Sequence, residues 1–518
     1  MSWKPEVDEL RRRAELAAQL GGPERVQRQH DAGRLTVRER IDRLFDPGTF
    51  HETGVLAGLP SYEGQRLSTI RPANFVLGTG QLDGRRAVVG GDDFTVRGGA
   101  ADGAVGYKFT YAERMALELR IPMIRLVDGT GGGGSVRSLD RMKRTYVPFN
   151  PGMDVMTELL STVPVVSAAL GPVAGLGAAR VVFSHFSLMP RGTGQVFVAG
   201  PPVVRRGIGQ EIEKEDLGGS HIHTRVSGVV DNEVASEQEA FDQIRRFLSY
   251  LPPSVYEIPP MQPTNDPRTR REEELLSIVP RNRRHAYDMR RIVELVLDRG
   301  SFFEIAPGYG RSVITGLARL LGRPLGVLAN DPKPLGGAVD AAASEKMTRF
   351  IDLCDTFHLP LINFVDNPGF LIGLAAERAG TIRKGARAIF AVYQSSVPWC
   401  SVIVRRVFGV AGAAHGDHTR LNLRYAWPSG EWGSLPLAGG IEAAYKRELE
   451  AAEDPDSLRR EIEARLSAVS SPLRTAEAFG IEEIIDPRDT RPLLCDWVQS
   501  AYQILPTEVG PKQRGLRP

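Results

Sequence analysis

Two stretches of this chain, 234 residues apart, follow one plan. Thr162-Val163-Pro164 leads through an apolar run into Gly175-Leu176-Gly177-Ala178-Ala179, and Ser396-Val397-Pro398 leads through another into Gly409-Val410-Ala411. At an offset of 238, Ile121-Pro122-Met123-Ile124-Arg125-Leu126-Val127-Asp128 matches Leu359-Pro360-Leu361-Ile362-Asn363-Phe364-Val365-Asp366, and each copy ends in a glycine-bearing loop. The chain is a tandem duplication, so whatever fold the first half adopts the second adopts again, and two like domains follow. A strand that ends in small residues and then opens a helix gathers free backbone N–H groups at one point, which suits a developing oxyanion. The repeat therefore predicts paired anion-stabilising sites.

A third match places the restart. The run Arg40-Ile41-Asp42-Arg43-Leu44-Phe45-Asp46-Pro47-Gly48-Thr49-Phe50-His51-Glu52 returns as Arg291 through Glu304, so the second half begins near residue 285. Residues 6 to 46 carry apolar residues at helical spacing and form an N-terminal helical segment. Pro252, Pro253, Pro259, Pro260, Pro263 and Pro267 exclude helix or central strand between the halves. The expected division is residues 1–255, a proline-rich and charged connector at 256–284, and residues 285–518. Within each half, short β-branched runs alternate with longer helical patterns such as 104–120 and 338–357, which argues for βαβ units and an α/β class. Such units fit a doubly wound sheet or a superhelical spiral, and periodicity does not choose.

The charge balance of 65 basic against 63 acidic residues removes any global electrostatic case for nucleic acid or a membrane as the main partner. Three cysteines, Cys354, Cys400 and Cys495, show no CxxC spacing and fit a reducing cytoplasm. No run of 18 apolar residues occurs, so a soluble cytoplasmic protein is expected.

Asp128-Gly129-Thr130-Gly131-Gly132-Gly133-Gly134-Ser135 lacks the GKS or GKT ending of a phosphate loop, and a flexible turn is its plain alternative. A related glycine loop returns at Gly369-Phe370 in the second half. At Gly171 to Ala179, close helix–strand packing competes with ligand approach as the reason for small residues. No Gly-x-Ser-x-Gly elbow and no activated cysteine is present. His221-Ile222-His223 and His415-Gly416-Asp417-His418 lack a third ligand at recognisable spacing, so no metal is expected. The acidic run at 211–216 reads as a solvated helix face.

Several ordered stretches then carry a family resemblance: Gly33-Arg34-Leu35-Thr36-Val37-Arg38-Glu39-Arg40-Ile41, Asp93-Phe94-Thr95-Val96-Arg97-Gly98-Gly99-Ala100, Arg191 to Pro201, Asp216 to Thr224, Asp366-Asn367-Pro368-Gly369-Phe370, and Tyr425-Ala426-Trp427-Pro428. Over nearly its whole length the chain resembles the carboxyltransferase (β) subunits of biotin-dependent acyl-CoA carboxylases of the propionyl-CoA and methylcrotonyl-CoA type. The resemblance implies two crotonase-like ββα-spiral domains, assembly into a homo-oligomer, commonly a hexamer, and a separate biotin carboxylase and biotin carrier (α) subunit. Acyl-CoA is expected on the first domain and carboxybiotin on the second, with no metal in this chain. Gly175 and Leu176 match positions that stabilise the acyl-CoA enolate, and Val410 and Ala411 match positions that stabilise the biotin ureido oxygen. The glycine loops Gly131, Gly132, Gly133 and Gly134, and Gly369, Phe370, Gly409 and Gly412, are the implied binding positions. In the implied mechanism carboxybiotin loses CO₂, biotin takes the α-proton, and the enolate attacks CO₂, so no side-chain base is needed.

Two positions depart from the family pattern. An acid after the last strand of the second domain, which influences acyl choice, is replaced by Ala413, and the first glycine loop lacks its usual arginine. Both changes leave more room for the acyl group. No biotinylation motif of the Ala-Met-Lys-Met kind occurs, so biotin is expected on another chain. The alternatives to a carboxylase subunit are a decarboxylase or transcarboxylase subunit of the same fold and a non-catalytic scaffold subunit of a mixed complex.

Overall fold

In the computed structural model, residues 2–100, 105–129, 143–145, 147, 150–421 and 423–512 are described. The chain divides into two compact units that meet in sequence between Glu257 and Ile258. In the first, the strands are β1 (His51–Thr53), β2 (Gly58–Glu63), β3 (Arg66–Pro72), β4 (Phe75–Leu82), β5 (Arg85–Asp92), β6 (Met123–Val127), β7 (Val165–Ala169), β8 (Pro172–Ala174), β9 (Phe186–Pro190), β10 (Gln195–Phe197) and β11 (Asn232–Val234). In the second they are β12 (Phe303–Ile305), β13 (Val313–Leu320), β14 (Arg323–Asn330), β15 (Leu361–Asn367), β16 (Trp399–Phe408), β17 (Leu423–Ala426), β18 (Glu431–Gly433) and β19 (Glu483–Ile484). Among the helices are α1 (Val37–Leu44), α2 (Tyr107–Leu119), α3 (Leu176–Val182), α4 (Met289–Val296), α5 (Ala341–Thr356) and α6 (Gly409–Ala413).

The two main sheets have the same order. The first runs β1-β4-β5-β6-β7-β9-β11 and the second β12-β13-β14-β15-β16-β17-β19. In each, the first three strands pair antiparallel and the rest parallel. Strand number rises steadily across both sheets, with no reversal point, so the spiral arrangement holds and the doubly wound one does not. The duplication extends to a minor feature: β8 pairs with β10 in parallel, and the end of β16 pairs with β18 in parallel. One difference separates the copies. Leu170-Gly171 breaks the first copy into β7 and β8, whereas β16 runs unbroken for 10 residues.

The parallel strands are buried on both faces, which is why they read as continuous apolar runs. Every residue of β6, β7 and β15 is buried. Helix starts are locally encoded. Thr36 accepts from Glu39 N–H while the Glu39 carboxylate accepts from Thr36 N–H, a reciprocal cap on α1. Asp288 caps α4 and Asp340 caps α5 in the same way, by accepting from the third residue along.

The connector is ordered against the second unit. Arg270 donates to the Leu297 carbonyl at 2.7 Å and to Asp266 at 2.6 Å, and Asp266 accepts from Arg299 N–H. Arg491 adds bonds to the Pro267 and Val296 carbonyls. Its proline-bearing part forms neither helix nor strand, a single 3-10 turn, Glu273–Leu276, follows, and arginines fix the path. All three cysteines are buried in the second unit, and burial pushes each thiol up, Cys495 to about 11. Among the described residues no helix is long and apolar enough to cross a membrane.

Candidate active site

Each half runs into a glycine and a short helix, from β8, the continuation of β7, in the first and from β16 in the second. In the first, Gly175 stands before α3 with φ 58° and ψ −126°, a backbone that a residue with a Cβ adopts only under strain. The N–H of Gly175 donates to the Phe197 carbonyl at 3.3 Å, extending the β8–β10 pairing. The first intrahelical bond is Ala179 N–H to the Gly175 carbonyl. The N–H groups of Leu176, Gly177 and Ala178 therefore lack a carbonyl partner among the described residues, as geometry requires at a helix start. The sequence pairs Gly175 with Leu176 as donors; the structure commits the Gly175 N–H to a strand bond and leaves the next three open.

In the second half, Gly409 opens α6 with φ 61°, and Gly409, Val410, Ala411, Gly412 and Ala413 all lie on that single turn. The N–H groups of residues 409–412 have no carbonyl partner among the described residues. Val410 is 65 % exposed, so the turn faces outward, while Ala411 and Gly412 are buried. The loop after β15 lies against it. Asn367 donates its amide to the Ala411 carbonyl at 3.0 Å and accepts from Gly369 N–H at 2.9 Å. Gly369, at φ 120°, donates nothing further but accepts from Val339 N–H, and Phe370 covers the face of Gly385 closely enough that no Cβ fits there. The second-half residues singled out from the sequence, Gly369, Phe370 and 409–413, thus come together in one region. Gly131, Gly132, Gly133 and Gly134 lie outside the described residues.

Behind each glycine loop sits a buried carboxylate at the end of the matching strand. Asp128 accepts from Arg40 at 2.8 Å, Arg34 at 3.1 Å and Gln29 at 3.1 Å. Asp366, the same position in the repeat, accepts from Arg406 at 2.6 Å, Arg405 at 3.2 Å and Tyr287 Oη at 2.9 Å. Each carboxylate residue also donates its backbone N–H sideways, Asp128 to Asp92 and Asp366 to Asn330. Burial and the neighbouring Asp366 charge push the Tyr287 phenol well up, so it stays a donor. These acids are spent on arginines and hold the loops; neither is placed as a free base.

Ala413 stands at a cavity of about 290 Å³ beside α6, lined among others by Ile403, Val407, His415, His418 and Trp432. His415 is buried, its Nδ1 lies 2.8 Å from the Gly412 carbonyl, and burial holds its pKa down at about 4. The ring is therefore neutral with Nδ1 carrying the proton, which leaves Nε2 an acceptor. The histidine pair considered from the sequence as metal ligands is a packed pair with ring centroids 4.9 Å apart. His223 bonds the Val196 carbonyl from a single π-turn, Ile222–Val226, and burial lowers its pKa. Sequence reading missed Asn367 as a link between loop and turn, although it lies inside a quoted motif.

Comparison with known proteins agrees with this geometry. The model of the carboxyl transferase domain family matches residues 28–513. A propionyl-CoA carboxylase carboxyltransferase subunit of Haloferax mediterranei is 36% identical over 495 residues, covering 95% of each chain. The methylmalonyl-CoA decarboxylase subunit alpha of Veillonella parvula is 33% identical over 91% of each. A crystal structure of transcarboxylase 12S, described as a hexamer with methylmalonyl-coenzyme A and methylmalonic acid bound, superposes with a TM-score of 0.86. It shares 28% sequence identity over 100% of this chain and 98% of that one.

Proposed function

From the premise that the chain belongs to the carboxyl transferase family, as an enzyme of the biotin-dependent acyl-CoA carboxylase and transcarboxylase type, we propose how its own residues move a carboxyl group from carboxybiotin to an acyl-CoA. The observation that carries the reading is the repeated turn: two strand ends, at equivalent places in the repeat, each open a short helix whose first N–H groups have no carbonyl partner among the described residues. Two acceptor oxygens become negative in such a reaction, and two donor sets are present.

In the first half, Leu176, Gly177 and Ala178 hold the thioester oxygen as charge grows on it, and the Gly175 backbone sets their direction. In the second, Val410 and Ala411 hold the ureido oxygen. These are backbone donors, which fit a neutral urea that gains charge. Bound carboxybiotin supplies the activated carboxyl group and, once it has given that up, the base. The chain contributes alignment and preorganised dipoles, the largest single source of rate in many sites of this kind. That division of labour explains why Asp128 and Asp366 are tied to arginines. Ala413, beside the cavity, leaves the acyl group more room than an acid would.

The same reading places the biotin carrier and biotin carboxylase on a partner chain and assembles this chain into a homohexamer. Exposed apolar side chains on the second unit, Ile372, Leu374, Ile382 and Phe390, support a subunit contact there. The likeness to a methylmalonyl-CoA decarboxylase subunit supports a second reading, in which the transfer runs toward biotin.

The test incubates the purified chain with malonyl-CoA, methylmalonyl-CoA and longer or branched carboxyacyl-CoAs, with and without free biotin, and follows loss of the carboxyl group by mass spectrometry. Biotin-dependent loss supports carboxyl transfer and names the acyl class. Loss without biotin would refute the use of biotin as acceptor, and no loss across the panel would favour a scaffold subunit.

A further inference from the structure

Both turn helices are gripped from behind by side chains of the two strands beneath them. In the second half, one carbonyl, that of His415 just past α6, accepts three bonds: from Asn363 Nδ2 on β15 at 3.1 Å, Trp399 Nε1 at the start of β16 at 2.7 Å, and Ser401 Oγ on β16 at 2.8 Å. In the first half, the Arg180 carbonyl in the last turn of α3 accepts from Arg125 Nη1 on β6 at 3.0 Å and Ser167 Oγ on β7 at 3.1 Å. Arg125 also donates to the Phe183 carbonyl. Asn363 is the repeat partner of Arg125, and Ser401 of Ser167.

A carbonyl has two lone pairs, so three donors exceed what satisfaction requires. Asn363 is buried, and its Oδ1 has no hydrogen-bond partner among the described residues, an unmade bond that costs stability. Substitution of its amide leaves the His415 carbonyl with Trp399 and Ser401. The excess therefore fixes position, and the fixed object is the far end of a turn whose near end presents the open N–H groups of residues 409–412.

We propose that Asn363 and Ser401, with their repeat partners Arg125 and Ser167, are positioning residues that aim the backbone donors of α6 and α3. The inference rests on the reading of these turns as oxyanion sites. It assigns the aim of each turn to strand side chains that touch no substrate. A misplacement of the donors by a fraction of an ångström weakens their hold on the charged oxygen while the acyl-CoA itself is still bound.

The experiment uses the full-length chain and Asn363→Leu, near in size and without the donor, with Ser401→Ala and Ser167→Ala alongside. Arg125 is a poor probe because its loss leaves Glu113 buried without its ion-pair partner. Three quantities are read: biotin-dependent kcat and KM for the carboxyacyl-CoA, Tm, and hydrogen exchange of a peptide covering 409–416, where Ala414 N–H closes the turn on the Ala411 carbonyl. For Asn363→Leu the expected result is a kcat lower by roughly tenfold or more, KM and Tm unchanged, and faster exchange in 409–416. A kcat within about threefold of wild type, or unchanged exchange, overturns the proposal. A wild-type chain without biotin-dependent turnover would instead strike the functional reading, and the exchange comparison would still decide whether Asn363 holds the turn.

Discussion

At Leu176 a backbone donor can be removed by substitution alone. Leu176 is the first residue of α3, where proline fits a helix and its missing N–H breaks no intrahelical bond. Leu176→Pro is expected to lower turnover by about a hundredfold to a thousandfold while moving Tm by only a few degrees. Steady-state kinetics beside thermal unfolding checks both. His415 makes a separate prediction. Its folded pKa of about 4 lies below the unfolded value of about 6.5. Between those values the unfolded chain binds a proton that the folded chain refuses, so the contribution is complete above pH 6.5 and falls as pH drops toward 4, by about 3 kcal/mol in all. The stability lost between pH 7.5 and pH 5 should shrink in His415→Gln, as measured by denaturant unfolding; an equal loss would count against a neutral buried ring. At this scale the sequence was partly legible. Gly175 and Gly409 stood out because the same small-residue turn after a strand recurs in both halves. Asn363, Trp399 and Ser401 did not, and His415 was weighed only as a metal ligand, since their common point, one carbonyl, exists only after β15 and β16 pair.

Among the elements, β6 and β15 were readable because both faces of a central parallel strand are buried and the apolar run is continuous. The short pairs β8–β10 and β16–β18 were not, because three residues of pairing leave no periodicity to detect. Nor did sequence show that Asp366, quoted as part of a motif, is the anchor of its strand end. Its side chain is wholly buried against Arg405 and Arg406, so Asp366→Ala takes from both guanidinium groups the carboxylate they pair with. The expected cost is about 3–5 kcal/mol of stability, read from the urea midpoint at constant slope. Asp128→Ala should cost less in the first unit, because Arg40 keeps its buried pair with Glu237 and only Arg34 loses its carboxylate partner. A loss below about 1 kcal/mol in either would mean that these pairs are screened by solvent.

For the molecule as a whole, duplication predicted two like units, and the matching sheet orders have that form. The spiral itself followed from family resemblance, because the alternation of strand and helix is common to both candidate topologies. Subunit assembly belongs to this scale too. Ile372 and Ile382 are 87% and 63% exposed on the second unit, and a charge at either should block a contact that covers them. If the chain assembles as proposed, Ile382→Asp is expected to shift its sedimentation coefficient to that of a smaller species, with circular dichroism unchanged. An unaltered coefficient would place the interface elsewhere.

The buried cysteines also give the chain an internal clock. All three thiols lie in the second unit, shielded and poorly ionised, and the first unit has none. A thiol-reactive dye added to the folded protein should therefore register only those openings that expose the second unit, and register nothing when the first unit opens alone. Paired with a whole-chain signal such as ellipticity, dye uptake would show whether the two copies of this duplicated fold still come apart together or have drifted to different lifetimes.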